Sequence, residues 1–163
     1  MFYSSCVPSP LGELLLVSDG EALCGLYFVG QKHFPAALEA EEKSDLAVFE
    51  QTRAWLRRYF ACERPEPEVP LRLAGTAFRR AVWELLLQIP CGTTVSYGAL
   101  AAELAGRTGR PCSARAVGGA VGRNPVSILV PCHRVVGADG SLTGYAGGTE
   151  RKRRLLEIER GRI

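Results

Sequence analysis

The sequence predicts an α/β protein of the α+β type, in which a small N-terminal antiparallel sheet with a covering helix precedes a mainly helical domain with a helix-turn-helix. Three observations support this prediction. Apolar runs of strand length alternate with turn residues near the N-terminus, a proline-rich acidic segment follows, and capped helical segments occupy the rest of the chain. The chain has 163 residues, 47% of them hydrophobic, which is enough for a buried core.

The N-terminal third predicts strands followed by a helix. Residues 2–7 and 13–18 are apolar runs of strand length, and the hairpin dipeptide Asp19-Gly20 leads into a returning strand over 22–29. Residues 44–61 carry apolar side chains at three- and four-residue steps, with Ser44 as the expected N-cap.

A linker is expected over residues 63–70, which include three prolines and three acidic residues. We therefore divide the chain into an N-terminal antiparallel-sheet domain with its linker, residues 1–70, and a C-terminal domain, residues 71–163.

The C-terminal part predicts a series of capped helices. Thr76, Ser96 and Ser113 are the expected N-caps of helices that run to about residues 89, 105 and 122, and a final helix is expected over about 150–160. Between the third and the final helix lie a buried strand-like run at 127–130, a cysteine and a glycine-rich segment. The helices that follow Ser96 and Ser113 are joined by a glycine-containing loop, a pattern typical of a helix-turn-helix.

Charged residues are unevenly distributed along the chain. Residues 1–75 carry 7 Lys/Arg and 11 Asp/Glu, whereas residues 76–163 carry 13 and 6, so the net charges are −4 and +7. The basic half indicates an anionic partner such as nucleic acid, or alternatively only a solvated basic surface. The chain has no apolar run of the ~20 residues that a membrane span needs and no secretory signal, so we expect a soluble cytoplasmic or nuclear protein without a membrane partner, with the cytoplasm as the favoured location. We also expect a monomer.

The third helix is unusually rich in small residues, with three glycines and three alanines between Ser113 and Gly122. Each glycine costs a helix ~1 kcal/mol, so this composition needs a reason. One reason is close approach to the DNA minor groove, which is only ~6 Å wide, with Arg115 as a side chain that could wedge into the base stack. The alternative is tight helix–helix packing inside the protein.

The cysteines point to one reactive site. The chain has six cysteines, without a CxxC pair, and only two histidines. The spacing does not fit a structural zinc site, and nothing indicates export and disulfides. Cys132 is followed directly by His133, and an imidazole oriented by a carboxylate could raise its thiolate fraction. Glu159 is the favoured carboxylate and Glu157 the less favoured one. The alternative is a buried thiol beside a hydrogen-bonded histidine.

Several motifs together resemble the O6-alkylguanine-DNA alkyltransferase family, in particular its bacterial, single-protein branch. The segment P-C-H-R-V-V at 131–136 is similar to the signature of that family. Further similar segments occur in the same order and at the same spacing, at residues 9–12, 90–98, 115–125, 127–136 and 144–148. The resemblance therefore covers nearly the whole chain.

The resemblance implies a set of reactive residues. Cys132 is the alkyl acceptor, His133 is its base through a water molecule, and Glu159 orients His133. Asn124 braces the turn between the recognition helix and the cysteine, and the Tyr97 hydroxyl hydrogen-bonds the base.

The resemblance also implies how the damaged base and the duplex are bound. The carbonyls of Cys132 and Val135 accept from the exocyclic amine, and Tyr145 is a wall of the pocket. Ala146 stands where some members carry serine, so only its backbone N–H can bind O6. Arg115 fills the gap that the flipped nucleotide leaves. The residues expected to contact the minor groove are Ser113, Ala114, Arg115, Gly118, Gly119 and Arg123.

Phosphate contacts are expected from Arg107, Arg110, Arg123 and the basic run 151–154, although the favoured interpretation of that run is a solvated helix face. Cys6, Cys24 and His33 do not reproduce the zinc ligands of some animal members, so we expect no metal and no cofactor.

The implied function is DNA repair by direct, single-use alkyl transfer from O6-alkylguanine in double-stranded DNA to Cys132. Base flipping exposes O6, and the thioether product has no activated carbonyl that water could attack. Activity on O4-alkylthymine stays open. Two rival functions remain: a lesion-binding module without chemistry, and a cysteine hydrolase that turns over repeatedly.

Overall fold

The computed structural model describes residues 1–161, so the last two residues of the expected C-terminal domain lie outside the described part. The N-terminal sheet contains β1 (Tyr3–Val7), β2 (Leu14–Ser18) and β3 (Leu23–Phe28), which form an antiparallel meander. A short strand β4 (Glu41–Glu42) adds to the free edge of β1 in parallel, giving the order β3-β2-β1-β4.

The sheet is therefore mixed, and the expectation of a wholly antiparallel sheet was wrong at this edge. The two exposed glutamates of β4 show no alternating pattern, so their pairing with β1 is not predictable from the local sequence. The broader prediction of an α+β fold is confirmed.

Helix α1 (Ala47–Phe60) covers the sheet, but it starts later than expected. Its N-cap is Leu46, which makes no side-chain capping hydrogen bond, so Ser44 is not the cap. The reason is that Lys43 N–H still bonds to the Ser4 carbonyl beside β1, and the chain must turn at 44–45 before the helix can begin. The buried face of α1 consists of Val48, Phe49, Thr52, Trp55, Leu56 and Tyr59.

The C-terminal part contains α2 (Ala77–Leu86), α3 (Tyr97–Thr108), α4 (Ala114–Gly122) and α5 (Thr149–Glu159). Thr76, Ser96 and Ser113 each accept a hydrogen bond from the backbone N–H three residues later, which confirms the three predicted N-caps. Helix α2 ends earlier than expected, and α3 runs on to Gly109, where a φ of 71° stops it.

The segment between α4 and α5 is irregular and buried. Residues 127–130 form a turn with Ile128 at a φ of 71°, so the expected strand-like run is wrong although its burial is confirmed. A single 3-10 turn, Cys132–Arg134, follows, and β6 (Val135–Val136) pairs in parallel with β5 (Val95–Ser96). The backbone bridge between Leu26 and Val126 joins this segment to β3.

Within residues 1–161, no helix is both long and apolar enough to cross a bilayer.

Candidate active site and nucleic-acid interface

Cys132 begins the 3-10 turn and is almost completely enclosed. It retains 5% of its accessible surface, and its N–H bonds to the Val130 carbonyl at 2.8 Å. Burial raises the pKa of its thiol to about 11, against the opposing effects of the Asn124 side chain and the Lys152 charge. The resting thiol is therefore protonated at neutral pH, and a nucleophilic reaction requires a nearby base.

His133 and Glu159 form that neighbouring acid–base pair. The His133 Nε2 lies 2.5 Å from Glu159 Oε2, and both side chains are fully buried. Burial lowers the pKa of His133, while Glu159 opposes this effect, so the imidazole is neutral. The Nε2–H then donates to the carboxylate, which leaves Nδ1 with a lone pair. Within the described residues Nδ1 has no hydrogen-bond partner, as a base awaiting a proton requires.

Glu159 is held as an anion by further donors. Arg134 donates to both of its oxygens, at 2.6 Å from Nε and 3.2 Å from Nη2, and the Tyr59 hydroxyl donates to Oε2 at 2.7 Å. Burial alone would raise the pKa of Glu159, but its interactions with His133 and Arg134 hold it well below its usual value. Glu157, the less favoured candidate, instead pairs with Arg153.

Asn124 braces the turn that leads from α4 to Cys132. Its Nδ2 donates to the Val130 carbonyl at 2.8 Å, and its Oδ1 accepts from the Val126 N–H at 3.0 Å. The side chain is buried, so neither backbone group has water as an alternative partner. This bracing fixes where Cys132 stands relative to α4.

The predicted pocket residues gather around the sulfur. Tyr97, Tyr145 and Lys152 lie close enough to Cys132 for its charge to affect their pKa values. The Tyr145 ring stands edge-on to His133 with 6.4 Å between ring centroids, and its buried hydroxyl has no hydrogen-bond partner among the described residues.

Val135 is fully buried beside this group, while Ala146 is half-buried. The Ala146 carbonyl accepts from Lys32 N–H at 3.0 Å, and the role of the Ala146 N–H toward O6 stays a prediction.

The glycine-rich segment is anchored at Thr143. The Tyr97 hydroxyl donates to the Thr143 carbonyl at 3.2 Å and Lys152 Nζ donates to the same oxygen at 3.1 Å. Lys152 is fully buried, so its assignment to phosphate contact was wrong.

Two of its neighbours in the basic run are also engaged within the protein. The Arg151 guanidinium lies over Phe28 at 4.6 Å and donates to the Leu11 carbonyl, and Arg153 pairs with Glu150 and Glu157. The phosphate-binding interpretation therefore does not describe Lys152 and Arg151, whereas the exposed ion pairs of Arg153 fit the solvated-face alternative.

Helix α4 presents a smooth exposed face. Its inner face buries Val117, Ala120 and Val121, and its exposed side carries Ser113, Ala114, Arg115, Ala116, Gly119 and the C-cap Arg123. A Cβ built at Gly119 or Gly122 would meet nothing within 4 Å, and one at Gly118 would only touch the Tyr97 ring at 3.8 Å. Packing inside the protein therefore does not require these glycines, which argues against the alternative explanation for them.

The exposed arginines differ in their surroundings. Arg107 pairs with Glu103 within α3. Arg123 lies near His33, together with Arg79 and Lys32. Desolvation lowers the pKa of His33, and these three positive charges lower it further. The surface at the C-terminal end of α4 is therefore locally basic.

All six cysteines are free thiols, and no group of three His, Cys, Asp or Glu residues within 1–161 is arranged to hold a metal ion.

Sequence reasoning missed three contributors to the site: Tyr59, Arg134 and Thr143. Arg134 had a signal, its place beside His133, whereas Tyr59 was predicted only as part of an apolar helix face and lies 100 residues from its partner Glu159.

Comparison with known proteins agrees with this geometry. Residues 77–161 match the family described as 6-O-methylguanine DNA methyltransferase, DNA binding domain, and residues 1–73 match its ribonuclease-like domain. The methylated-DNA--protein-cysteine methyltransferase of Haemophilus influenzae is 43% identical over 97% of this chain and 86% of its own length. The protein of the same name from Mycobacterium tuberculosis is 45% identical over 99% of this chain and 94% of its own.

Solved structures give the same result. A crystal structure of the Mycobacterium tuberculosis O6-methylguanine methyltransferase is similar with a TM-score of 0.85 and 45% identity, over 100% of this chain and 95% of that one. The crystal structure of Mycobacterium tuberculosis OGT in complex with DNA has a TM-score of 0.87 at 45% identity, over 99% of this chain and 94% of that one. With identity at this level over nearly its whole length, the chain belongs to the 6-O-methylguanine DNA methyltransferase family.

Proposed function

We propose that this protein repairs O6-alkylguanine in double-stranded DNA by transferring the alkyl group to Cys132, once and irreversibly. The observation that carries the proposal is the buried pair of His133 and Glu159, with His133 next to Cys132 in the same 3-10 turn and with its Nδ1 unpaired among the described residues. A protein of this family with that pair has both a nucleophile and a base.

The proposed reaction is a direct displacement. The Cys132 thiol gives its proton to His133 Nδ1 through a water molecule, and Glu159 stabilises the imidazolium that forms. The sulfur attacks the alkyl carbon, the bond from that carbon to O6 breaks, and its electron pair stays on guanine. A proton or a hydrogen bond must then stabilise the departing guanine, which is the role proposed for the Tyr97 hydroxyl. The new carbon–sulfur bond is a thioether, so water does not regenerate the thiol.

Recognition requires that the damaged nucleotide leave the base stack. We propose that the exposed face of α4 lies in the minor groove, with Ser113, Ala114, Gly118 and Gly119 against the groove and Arg115 in the gap left by the flipped nucleotide. Flipping costs a few kcal/mol, and less for a poorly paired lesion.

In the pocket, the Cys132 and Val135 carbonyls would accept from the exocyclic amine, Tyr145 would stack against the purine, and the Ala146 N–H would face O6. Asn124 would keep the acceptor in place, and Arg123 would contribute a phosphate contact.

Four features stay predictions: the groove that is bound, the monomeric state, the cytoplasmic location and the domain division at residue 70.

The test is to incubate the protein with duplex DNA containing O6-methylguanine and to weigh it by mass spectrometry. We expect a gain of one methyl group on the peptide that contains Cys132, and no gain for Cys132→Ala. Cys24→Ala, which removes a different thiol that is half-buried, serves as the control and should react as the wild type does. An unchanged mass with tight lesion binding would instead support a binding module, and repeated turnover would support a hydrolase.

A further inference from the structure

Tyr59 connects the N-terminal half of the chain to the acid–base pair. It lies near the end of α1, is 3% exposed, and stacks on Trp55 at a centroid distance of 5.3 Å. Its hydroxyl donates to Glu159 Oε2, the same oxygen that accepts from His133 Nε2. Burial, together with the neighbouring carboxylate, raises the pKa of Tyr59 well above its ordinary value, so the phenol stays protonated and remains a donor.

A second contact from the same region reinforces this arrangement. Arg64, held at a φ of 52° just after α1, donates from its guanidinium to the Glu159 backbone carbonyl at 2.7 Å. Glu159 is the last residue of α5, and a carbonyl at a helix end lacks an intrahelical partner. The N-terminal half therefore supplies one donor to the carboxylate of Glu159 and one to its backbone.

We propose that Tyr59 is a positioning residue of the alkyl-transfer site: its hydroxyl fixes the rotation of the Glu159 carboxylate and weakens the interaction of that carboxylate with His133. The proposal rests on the proposed function in that Cys132 reacts through His133. Three donors share Oε2, from Tyr59, His133 and Arg134, so each competes for its charge. With the hydroxyl present, the carboxylate still orients the imidazole but stabilises the imidazolium less strongly. Nδ1 therefore stays unprotonated until the thiol gives up its proton.

The other groups that face the pair are Arg134, Lys152, Cys91, Cys132 and Tyr145. Burial lowers the pKa of Lys152 and raises the pKa values of Cys91, Cys132 and Tyr145, so the thiols and the phenol stay neutral where His133 titrates. Arg64 donates to the Glu159 backbone carbonyl and not to its carboxylate. A change in the titration of His133 after removal of the Tyr59 hydroxyl would therefore report on the Glu159 carboxylate.

The experiment compares wild type, Tyr59→Phe and Thr52→Val. Thr52 is a fully buried hydroxyl on the same helix that donates only to the Val48 carbonyl, so its loss is a matched control without contact to Glu159. Because the chain has only two histidines, NMR titration of the imidazoles gives His133 directly and His33 as an internal reference. We expect the pKa of His133 to rise by about 0.5 to 1 unit in Tyr59→Phe only, since Oε2 loses a competing donor.

The second readout is the rate of methyl transfer as a function of pH. In Tyr59→Phe the acidic limb of the profile should move upward with the His133 pKa, which lowers the rate by about 3- to 10-fold at pH values below the wild-type His133 pKa and changes it little at pH values well above that pKa. An unshifted titration and profile in a folded Tyr59→Phe protein would reduce the hydroxyl to a structural role and overturn the proposal. The titration needs no DNA, so a wild-type protein that fails to accept a methyl group would refute the proposed function without deciding the role of Tyr59.

Discussion

The substitution Gly119→Ala separates the stability of α4 from its role in DNA binding. Gly119 lies in the middle of α4, is exposed, and a Cβ added there meets nothing within 4 Å. Because alanine is a better helix former than glycine by ~1 kcal/mol, the free energy of unfolding should rise by about 0.5 to 1 kcal/mol. The same methyl group would stand on the face that we place in the minor groove, which is only ~6 Å wide.

Its effect on binding should therefore have the opposite sign. Inserting a methyl group into a close-packed contact costs about 1 to 3 kcal/mol, which corresponds to roughly 5- to 150-fold weaker binding. Fluorescence anisotropy with an unmodified duplex at constant salt would measure the affinity, and urea denaturation would measure stability.

Gly106→Ala is the matched control, since Gly106 is an exposed glycine in α3 where an added Cβ also meets nothing. It should give the same gain in stability with unchanged affinity. Undiminished DNA binding by a stabilised Gly119→Ala protein would show that this face of α4 does not approach the duplex.

Three further predictions follow from individual contacts. Asn124→Ala leaves the Val126 N–H without a partner and removes one of the two donors to the Val130 carbonyl, so denaturation should show a loss of about 1 to 3 kcal/mol, whereas a change below 0.5 kcal/mol would contradict the bracing role. Arg115→Ala should slow methyl transfer from duplex DNA by about 10-fold or more while sparing a single-stranded substrate, and equal slowing on both would exclude its role in flipping. The pKa of Glu159 is lower in the folded state than its ordinary value of 4.5, so the ionised carboxylate stabilises the fold above pH 4.5 and this stabilisation is lost as the pH falls below 4.5. In Glu159→Gln the loss of stability at acidic pH, measured by thermal melting, should therefore be smaller.

The sequence was most informative where a local rule has a single physical solution. A serine or threonine before a helical pattern satisfies a backbone N–H that has no other partner, and Thr76, Ser96 and Ser113 all do so. The same rule failed at Ser44, because the pairing of the preceding residues with β1 determines where α1 can begin. That pairing is a tertiary contact, which no local pattern contains.

Charge was a poorer guide than capping. The basic run at 151–154 has the composition of a phosphate-binding surface, yet Lys152 is fully buried and Arg151 lies over an aromatic ring. Long basic side chains can cover apolar surface and bond to backbone carbonyls, so sequence alone does not reveal whether their charge faces the solvent. The smooth face of α4 was easier to predict. Three glycines lower the stability of a short helix, so their presence indicates that another molecule or element approaches its backbone closely.

The site is assembled mainly at the ends of helices, and this explains which parts of it the sequence could predict. Tyr97 is the first residue of α3, Glu159 is the last of α5, Tyr59 is the penultimate residue of α1, and Asn124 follows the C-cap of α4. Helix ends carry unpaired backbone groups and are set by tertiary contacts, which makes them the positions that periodicity locates least well. The motifs identified the proposed reacting residues, but the contribution of the Tyr59 hydroxyl depends on the contact between the ends of α1 and α5, which no local pattern contains. Because the residues at these helix ends also surround the proposed reacting groups, a change that displaces a helix end should displace the site with it.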